Sequence, residues 1–462
     1  MQIKDIPKLF HIAAFLFLLV FNLFACIARA QHITAAENYG RNRAGVVMVK
    51  TQLSAIVNVS QLQINNRAFN TLVDSISRLT TDNTSLNSGQ KLDIVINRFR
   101  DNADKYFKST LNYFRYAKEI TSTGTGFFFR GDGYVLTNCH VVDESDSYIR
   151  RRLISSVFRQ VTASNIEAIE NSWQVNFSET QRDVLADAFA GIYSRILPIS
   201  LDSIKKSIFV VVGSDEEGSY KRELPAEIIV KGSSMPGKDV AILKVAGKGP
   251  HPTITMLEEE KVRVGERVFV YGYPETVTNN EFLSKSTALE PTLTNGIVSA
   301  WKQTILNWPV IQMDANINHG SSGGPVCNEE GKVVGMTTFG SLEMRTGALA
   351  AGFNFAIPVS VLKEFFKLAG VEPEESSISR RFNEALSHFN AEYYRKALAI
   401  FREVKQQYPS YPGIAGYIED CELNIRNKKD KEPGSRLYLL LLIVVVLAVT
   451  ALVMWLNVKK RS

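Results

Sequence analysis

Short apolar runs, each bounded by turn-forming residues, recur through the middle of this 462-residue chain. Val46–Thr51 is one such run, Gly133–Cys139 is a second, and Asp239–Val245 is a third. Short runs rich in valine, isoleucine and aromatic residues are typical of buried β-strands. The pattern therefore predicts a β-strand at each of these places.

Two longer segments between these strands carry apolar residues at helical spacing. Residues three or four positions apart share one face of a helix, so we expect helical insertions near residues 52–120 and 148–205. In the first segment the helical pattern runs through Leu92–Ile120 and consists of Ile94, Ile96, Phe99, Phe107, Leu111 and Phe114. In the second it consists of Ile154, Val157, Val161, Ile166, Ile169, Val184, Leu185, Ala188, Phe189, Ile192 and Ile196.

Beyond Pro373 the helical period continues without strand-like runs. Residues 376–426 resemble one tetratricopeptide unit, in which alanine is followed four residues later by phenylalanine and proline closes the unit. The positions that carry this resemblance are Phe382, Ala385, Phe389, Tyr394, Ala397, Phe401 and Pro409. Because a stable array needs about three units, a plain helical hairpin is the alternative. Residues 427–436 are charged and contain Pro433-Gly434, which predicts a linker.

Both ends of the chain are strongly apolar. Residues 1–30 have a lysine-bearing start, a long apolar stretch and the small-residue motif Ala28-Arg29-Ala30, which predicts a secretory signal peptide. An uncleaved anchor is the alternative. At the other end, Leu437–Leu456 contains twenty residues without a charge. This length predicts a transmembrane helix over residues 437–457 that contacts membrane lipid, with residues 458–462 as a cytoplasmic tail. A buried core helix is the alternative here.

Composition and charge limit the remaining classes. The formal net charge of +6 is modest, and no basic stripe is interleaved with aromatic residues, so we expect no nucleic-acid partner. Removal of the signal peptide leaves three widely spaced cysteines, Cys139, Cys327 and Cys421, which form no disulfide framework. A bridge between Cys139 and Cys327 is left open. No Cys/His spacing matches a zinc site, and we expect neither a metal nor another cofactor.

A serine inside a glycine-rich turn is the strongest chemical signal. The segment 318–325 reads Asn-His-Gly-Ser-Ser-Gly-Gly-Pro. Glycine permits sharp turns that point successive backbone N–H groups into one space, where they stabilise an oxyanion. A serine in that turn can act as a nucleophile, although such a segment by itself also fits a surface loop.

A serine nucleophile needs a base and a group that orients the base. Of the six histidines, His140 follows the strand-like run Gly133–Cys139 and so lies on a rigid support. Asp239 opens the apolar run that ends at Val245, so its carboxylate can be partly buried. The order His140, Asp239, Ser322 is a known chain order for a catalytic triad. A half-buried structural histidine and an ordinary turn aspartate are the alternatives.

Together these residues resemble the HtrA/Deg family of trypsin-like serine proteases. The similarity covers most of residues 120–365. The matching segments are Gly124–Phe127, Tyr134–Val142, Asp239–Lys244, Val264–Pro274, Thr294–Ala300, Ile311–Asn318 and Gly352–Pro358. The resemblance implies a mainly β protease domain over residues 31–370, built of two six-stranded antiparallel β-barrels.

The same resemblance implies the roles of the site residues. Ser322 attacks the peptide carbonyl, His140 transfers its proton, and Asp239 orients the imidazole. The oxyanion hole is formed by Gly320, Ser321 and Ser322, with Ser321 shaping the turn. The wall of the substrate pocket is assigned to Phe339 and Gly340. Three features depart from the family: asparagine usually precedes the nucleophile where Ser321 stands, Cys139 replaces a small or polar residue, and no PDZ module is evident.

The sequence thus predicts a membrane-anchored serine endopeptidase whose protease domain lies outside the cytoplasm, in a bacterial periplasm. Its partners are polypeptide substrates, and a homo-oligomer is left open. A catalytically silent protease fold that binds other proteins is the rival hypothesis, and a protease that cuts one specific partner is a third. The helical insertions either cover the cleft or mediate assembly; simple packing against the barrels is the alternative.

Overall fold

The computed structural model describes residues 33–81, 87–195, 199–213, 222–247, 249–258, 262–278, 281–283, 290–342 and 349–431. The predicted signal peptide and the predicted transmembrane helix lie outside these ranges. Within them, no helix is both long and apolar enough to cross a bilayer. Both terminal segments therefore stay predictions.

The first barrel consists of six antiparallel strands: β1 (Val46–Ile64), β2 (Phe107–Arg130), β3 (Tyr134–Thr137), β4 (Ile199–Val212), β5 (Arg222–Lys231) and β6 (Ala241–Val245). They close in the order β1-β2-β3-β6-β5-β4. Successive residues of a strand point to opposite faces. Val47 and Val49 therefore pack inside the barrel, while Val46 and Met48 pack towards the second barrel. Burial on both faces explains why these runs are continuously apolar.

The second barrel also has six antiparallel strands: β7 (Arg267–Gly272), β8 (Thr292–Gln303), β9 (Pro309–Met313), β10 (Pro325–Cys327), β11 (Val333–Leu342) and β12 (Leu349–Pro358). Their order is β10-β11-β12-β9-β8-β7. Val268, Val298 and Met313 belong to its interior. Phe269 and Tyr271 face the other way and join Phe127 and Phe129 in a core shared by the two barrels. The mainly β architecture predicted from the sequence is confirmed.

Several helices lie outside the barrels. They are α1 (Ala35–Asn42), α2 (Asn66–Thr81), α3 (Ser88–Asp101), α4 (Ala103–Tyr106), α5 (Cys139–Val142), α6 (Asp146–Trp173), α7 (Glu179–Arg195), α8 (Glu275–Thr278), α9 (Val359–Ala369), α10 (Ser377–Asn390), α11 (Tyr394–Gln407) and α12 (Ile414–Arg426). The three helices α10–α12 surround a core that includes Phe382 and Phe401. The tetratricopeptide likeness of this region stays a prediction.

The helical prediction was wrong for the second half of the first insertion. Phe107, Leu111 and Phe114 lie in strand β2 and not in a helix. Their spacing of three and four residues matched a helical face only by coincidence. Pairing with β1 determines the structure, because Tyr113 lies opposite Ser60 and the register continues to Phe127 opposite Val46. Such long-range pairing overrides a local period.

The helical segments of both insertions pack on one sheet. Strands β1, β2 and β4 extend beyond the barrel, and helices α2–α4, α6 and α7 contribute to a core against them that includes Leu53, Val57, Phe99, Leu153 and Phe189. We call this unit the helical arm. The predicted helical segment 148–205 contains most of α6 and all of α7, but its last residues belong to β4.

Candidate active site

His140 is held at the end of a barrel strand. Strand β3 ends at Thr137, and the imidazole is carried by the single turn α5. The side chain of Asn138 donates to the backbone carbonyl of Asp239 (2.7 Å), which ties this turn to the segment before β6. The histidine is therefore fixed beside its predicted partner by neighbouring strands of the first barrel.

Asp239 is the buried centre of a hydrogen-bond network. It lies two residues before β6 and not at the first residue of the strand, and its side chain is only 1% exposed. Its Oδ2 lies 2.6 Å from His140 Nδ1 and accepts from Thr338 Oγ1 at 3.0 Å. Its Oδ1 accepts from the backbone N–H of His140 (2.9 Å). Such partners are what a buried carboxylate requires.

The loop that carries Ser322 depends on glycine. Gly320 and Gly323 have φ angles of +91° and +87°, in the region that favours glycine. A Cβ at Gly320 would lie 2.3 Å from the carbonyl oxygen of Tyr273, so this close backbone contact also excludes any residue with a side chain. The first barrel holds this loop, because Thr125 donates from its N–H to Ser322 O (2.8 Å) and from Oγ1 to Gly320 O (2.7 Å).

The predicted oxyanion loop has two backbone donors to spare. The N–H of Ser321 donates to Asn318 O, and that of Gly323 donates to Thr337 O. The N–H groups of Gly320 and Ser322 have no partner among the described residues. Ser321 itself is buried at 4% exposure and contributes shape to the turn. These two amides are therefore available to a developing oxyanion.

One cleft of about 390 Å³ brings the predicted side chains together. Its lining includes His140, Asp239, Ser322, Phe339 and Gly340. In this arrangement Ser322 Oγ donates to the carbonyl oxygen of Thr338 (3.2 Å) and not to the imidazole. Catalytic hydrogen bonds of this kind are often loose without substrate. Rotation about the serine χ1 bond redirects the hydroxyl.

Sequence analysis missed several residues of this cleft. Met235, Ile317, His319 and Thr338 also line it, and Phe339 is stacked on Phe355 with ring centroids 4.7 Å apart. Thr338 had a usable signal, because a hydroxyl group inside an apolar strand requires a hydrogen-bond partner. His319 also had one, because it lies in the serine loop itself, three residues before Ser322. Met235 had none, since only tertiary packing brings its loop to the site.

Both cysteines near the triad are buried free thiols. The bridge between Cys139 and Cys327 that the sequence left open is not formed. Burial, followed by the nearby carboxylates of Asp239 and Asp143, raises the pKa of Cys139 to about 11. Burial also raises the pKa of Cys327 well above its usual value. Protonated thiols are poor nucleophiles, so neither cysteine is a candidate nucleophile.

The part of the chain that carries these residues is similar to known proteins. Residues 124–336 match the family model described as "Trypsin-like peptidase domain". This match covers a little less than half of the chain. A "Probable periplasmic serine endoprotease DegP-like" of Pseudomonas putida is 30% identical over 247 residues, which is 53% of this chain and 34% of the relative. A protein of the same description from Rhizobium meliloti is 35% identical over 161 residues, 34% of this chain and 27% of that protein.

The chain spans about a third of the length of these curated relatives. Among solved structures, the serine endoprotease of Yersinia pestis is 17% identical, with a TM-score of 0.34 and coverage of 73% of this chain and 66% of that one. An HtrA-type protease crystallised with a decapeptide is 18% identical, with a TM-score of 0.37 and coverage of 72% and 66%. The likeness to trypsin-like peptidases rests on the family model and the curated relatives.

Proposed function

We propose that this chain is a serine endopeptidase that hydrolyses peptide bonds of exported polypeptides. The single observation that carries the proposal is the 2.6 Å contact between His140 Nδ1 and buried Asp239, in the same cleft as Ser322. A buried carboxylate on one imidazole nitrogen leaves the other nitrogen free to act as a base. The match to a trypsin-like peptidase model supports the same chemistry.

The mechanism begins with rotation of the Ser322 hydroxyl away from Thr338. Its Oγ attacks the scissile carbonyl while His140 Nε2 accepts the proton, and Asp239 stabilises the imidazolium. The oxyanion accepts hydrogen bonds from the N–H groups of Gly320 and Ser322. His140 then delivers the proton to the leaving amine, and water hydrolyses the acyl-enzyme by the same steps.

The proposal also includes the location of the protein and the class of its substrates. The relatives are described as periplasmic. The sequence predicts a secretory signal over residues 1–30 and a membrane anchor over residues 437–457. We place the protease domain in the periplasm with the C-terminus in the cytoplasm. Its substrates are misfolded or regulatory envelope proteins. The tetratricopeptide-like segment 376–426 spaces the protease from the membrane, and assembly into a homo-oligomer is part of the proposal.

Replacement of the nucleophile is the direct test. Ser322→Ala removes the attacking oxygen, and we expect turnover of casein to fall by about 10⁶ with the fold intact. Casein cleavage and labelling by a fluorophosphonate probe measure this, with circular dichroism as the check on folding. Ser234→Ala is the matched control, because Ser234 lines the same cleft without a proposed chemical role.

Two outcomes would contradict the proposal. Full proteolysis by the Ser322→Ala variant would place the nucleophile elsewhere. Persistent absence of labelling in the wild-type protein, with an unfolded polypeptide present, would favour a catalytically silent fold that binds other proteins.

A further inference from the structure

A second cleft lies in the helical arm, between α2, α3 and α4. It has a volume of about 660 Å³, which is in the range of sites that hold small ligands. Arg67 of α2, Arg98 of α3 and Lys105 of α4 line it. It shares no lining residue with the active-site cleft. We call it the arm cleft.

The arm cleft carries an imbalance of charge. Its lining has three cations and one carboxylate, Asp101, which already lies 3.1 Å from the guanidinium of Arg100. Arg67 and Arg98 form no ion pair with any residue that the structure describes. Arg182 of the same arm, by contrast, pairs with Glu170 at 2.6 Å.

The partners that these cations do have are neutral. Arg98 Nη1 donates to Ser75 Oγ (3.5 Å), and Lys105 Nζ donates to Asn102 Oδ1 (2.8 Å). Such contacts orient a cation without neutralising it. Like charges around one cleft repel each other, and an anion bound between them removes that repulsion. The arrangement therefore favours an anionic ligand.

The remaining walls restrict the ligand further. Leu72 and Tyr106 also line the arm cleft, and both are buried, at 5% and 9% exposure. The site thus places apolar surface beside two guanidinium groups, whose planar forks match the oxygens of phosphate. We propose that the arm cleft binds a phosphate ester that carries an apolar body. The ligand is either a soluble phosphoester or the headgroup of an anionic phospholipid.

Binding measurements on the full-length protein test this proposal. Phenyl phosphate, a soluble phosphate ester with an apolar body, probes the soluble source by calorimetry at low salt. Vesicles that contain phosphatidylglycerol, with pure phosphatidylcholine vesicles for comparison, probe the lipid source. Each guanidinium lost from a charged hydrogen bond costs about tenfold in affinity, so Arg67→Gln with Arg98→Gln should weaken binding about a hundredfold.

The matched control removes two cations from the same arm outside the cleft. Arg151→Gln with Arg159→Gln changes the net charge equally on exposed positions of α6, and we expect affinity to stay close to that of the wild type. Thermal unfolding shows whether each variant is folded. A second variant, Arg67→Lys with Arg98→Lys, keeps both charges but loses the planar guanidinium groups, and it should also bind more weakly than the wild type. It tests the proposal even where the glutamine variant fails to fold.

Each outcome decides the proposal. Binding of phenyl phosphate supports a soluble phosphoester, and binding of phosphatidylglycerol vesicles alone supports a lipid headgroup. Failure of both probes overturns the proposal. Equal binding by the Arg67/Arg98 glutamine variant and the control also overturns it, as does equally tight binding of succinate or of an acidic peptide, because the site would then lack phosphate chemistry.

Discussion

At the level of single residues, the members of the proposed triad could be selected from the sequence, but the residues that support them could not. His140, Asp239 and Ser322 each stand in a local pattern that indicates chemistry. Thr338 lies ninety-nine residues from Asp239 in sequence, and only folding brings its hydroxyl to the carboxylate. The same holds for Thr125, which reaches the serine loop from the first barrel. A hydrogen-bond partner on a distant strand has no characteristic spacing in the sequence, so sequence analysis could not identify it.

The contribution of Thr338 can be measured directly. Thr338→Val keeps the shape but leaves a buried oxygen of Asp239 without one donor, and hydrogen bonds to charged groups are worth about 1.5–3 kcal/mol. We expect kcat to fall about tenfold or more and the free energy of unfolding to fall by a similar energy. Thr338→Ser restores the hydroxyl and should recover both. An unchanged kcat in the valine variant would show that Thr338 does not position Asp239.

At the level of elements, the positions of the strands were predicted better than their lengths. Val46–Thr51 was predicted as a strand, but β1 continues to Ile64. The added length is stabilised by pairing with β2 and β4, and neither strand is a neighbour of β1 in sequence. The helical prediction for Phe107 was wrong for the same reason, because the pairing of β2 with β1 determines its structure. Helix α7 was predictable, because its apolar face repeats within one continuous segment.

The β8–β9 turn of the second barrel shows how one element supports a site in another. Trp308, at 4% exposure, donates from its indole Nε1 to the carbonyl of Pro236 (3.1 Å). Pro236 adjoins Met235, which lines the active-site cleft, and Asp239 follows three residues later. The indole thus braces the loop that shapes the cleft.

Trp308→Phe removes this hydrogen bond and retains an aromatic ring. The loss of about 1 kcal/mol should lower kcat/KM for peptide substrates about fivefold, mostly through KM, because Met235 lines the cleft and the substitution leaves His140, Asp239 and Ser322 in place. Steady-state kinetics measure the split. Trp301→Phe is the matched control, since its indole donates to the carbonyl of Val262 (3.0 Å), away from the cleft. Equal effects of the two substitutions would refute the bracing role.

At the level of the whole molecule, the barrels, the helical arm and the C-terminal helices have separate cores. No described residue of the active-site cleft belongs to the arm, so the structure gives no support to the hypothesis that the insertions cover the site. The C-terminal helices are joined to the barrels by polar contacts, among them Ser379 Oγ accepting from the N–H of Thr253 (2.7 Å). This arrangement was not predictable, because it depends on surfaces that form only after folding.

Stability should fall as the solution becomes acidic. His251 is 7% exposed, stacks on Phe128 with centroids 4.5 Å apart, and has no hydrogen-bond partner for either ring nitrogen in the described ranges. Burial, followed by the charges of Lys244 and Arg222, lowers its pKa against the opposing charge of Asp132. Below pH 6.5 the unfolded chain therefore binds a proton that the folded protein resists.

The expected loss of unfolding free energy is up to about 1.4 kcal/mol for each pH unit below 6.5, until the lowered pKa is reached. Urea unfolding at pH 7.5 and pH 5.5 measures it. His251→Gln cannot titrate, so its stability should change less between these two conditions than that of the wild type. A pH dependence identical to that of the wild type would assign the effect to other groups.

The contacts of Thr125 bear on how the protein tolerates motion. Thr125 holds the loop of Ser322, and its own carbonyl accepts from Thr137 Oγ1 (2.7 Å), three residues before His140. Ser322 and His140, the proposed nucleophile and base, are thus both held by strands β2 and β3, although they come from different barrels. A hinge movement between the barrels would move both groups together. The distance between the Ser322 hydroxyl and the His140 imidazole should therefore change little when the rest of the substrate groove changes shape.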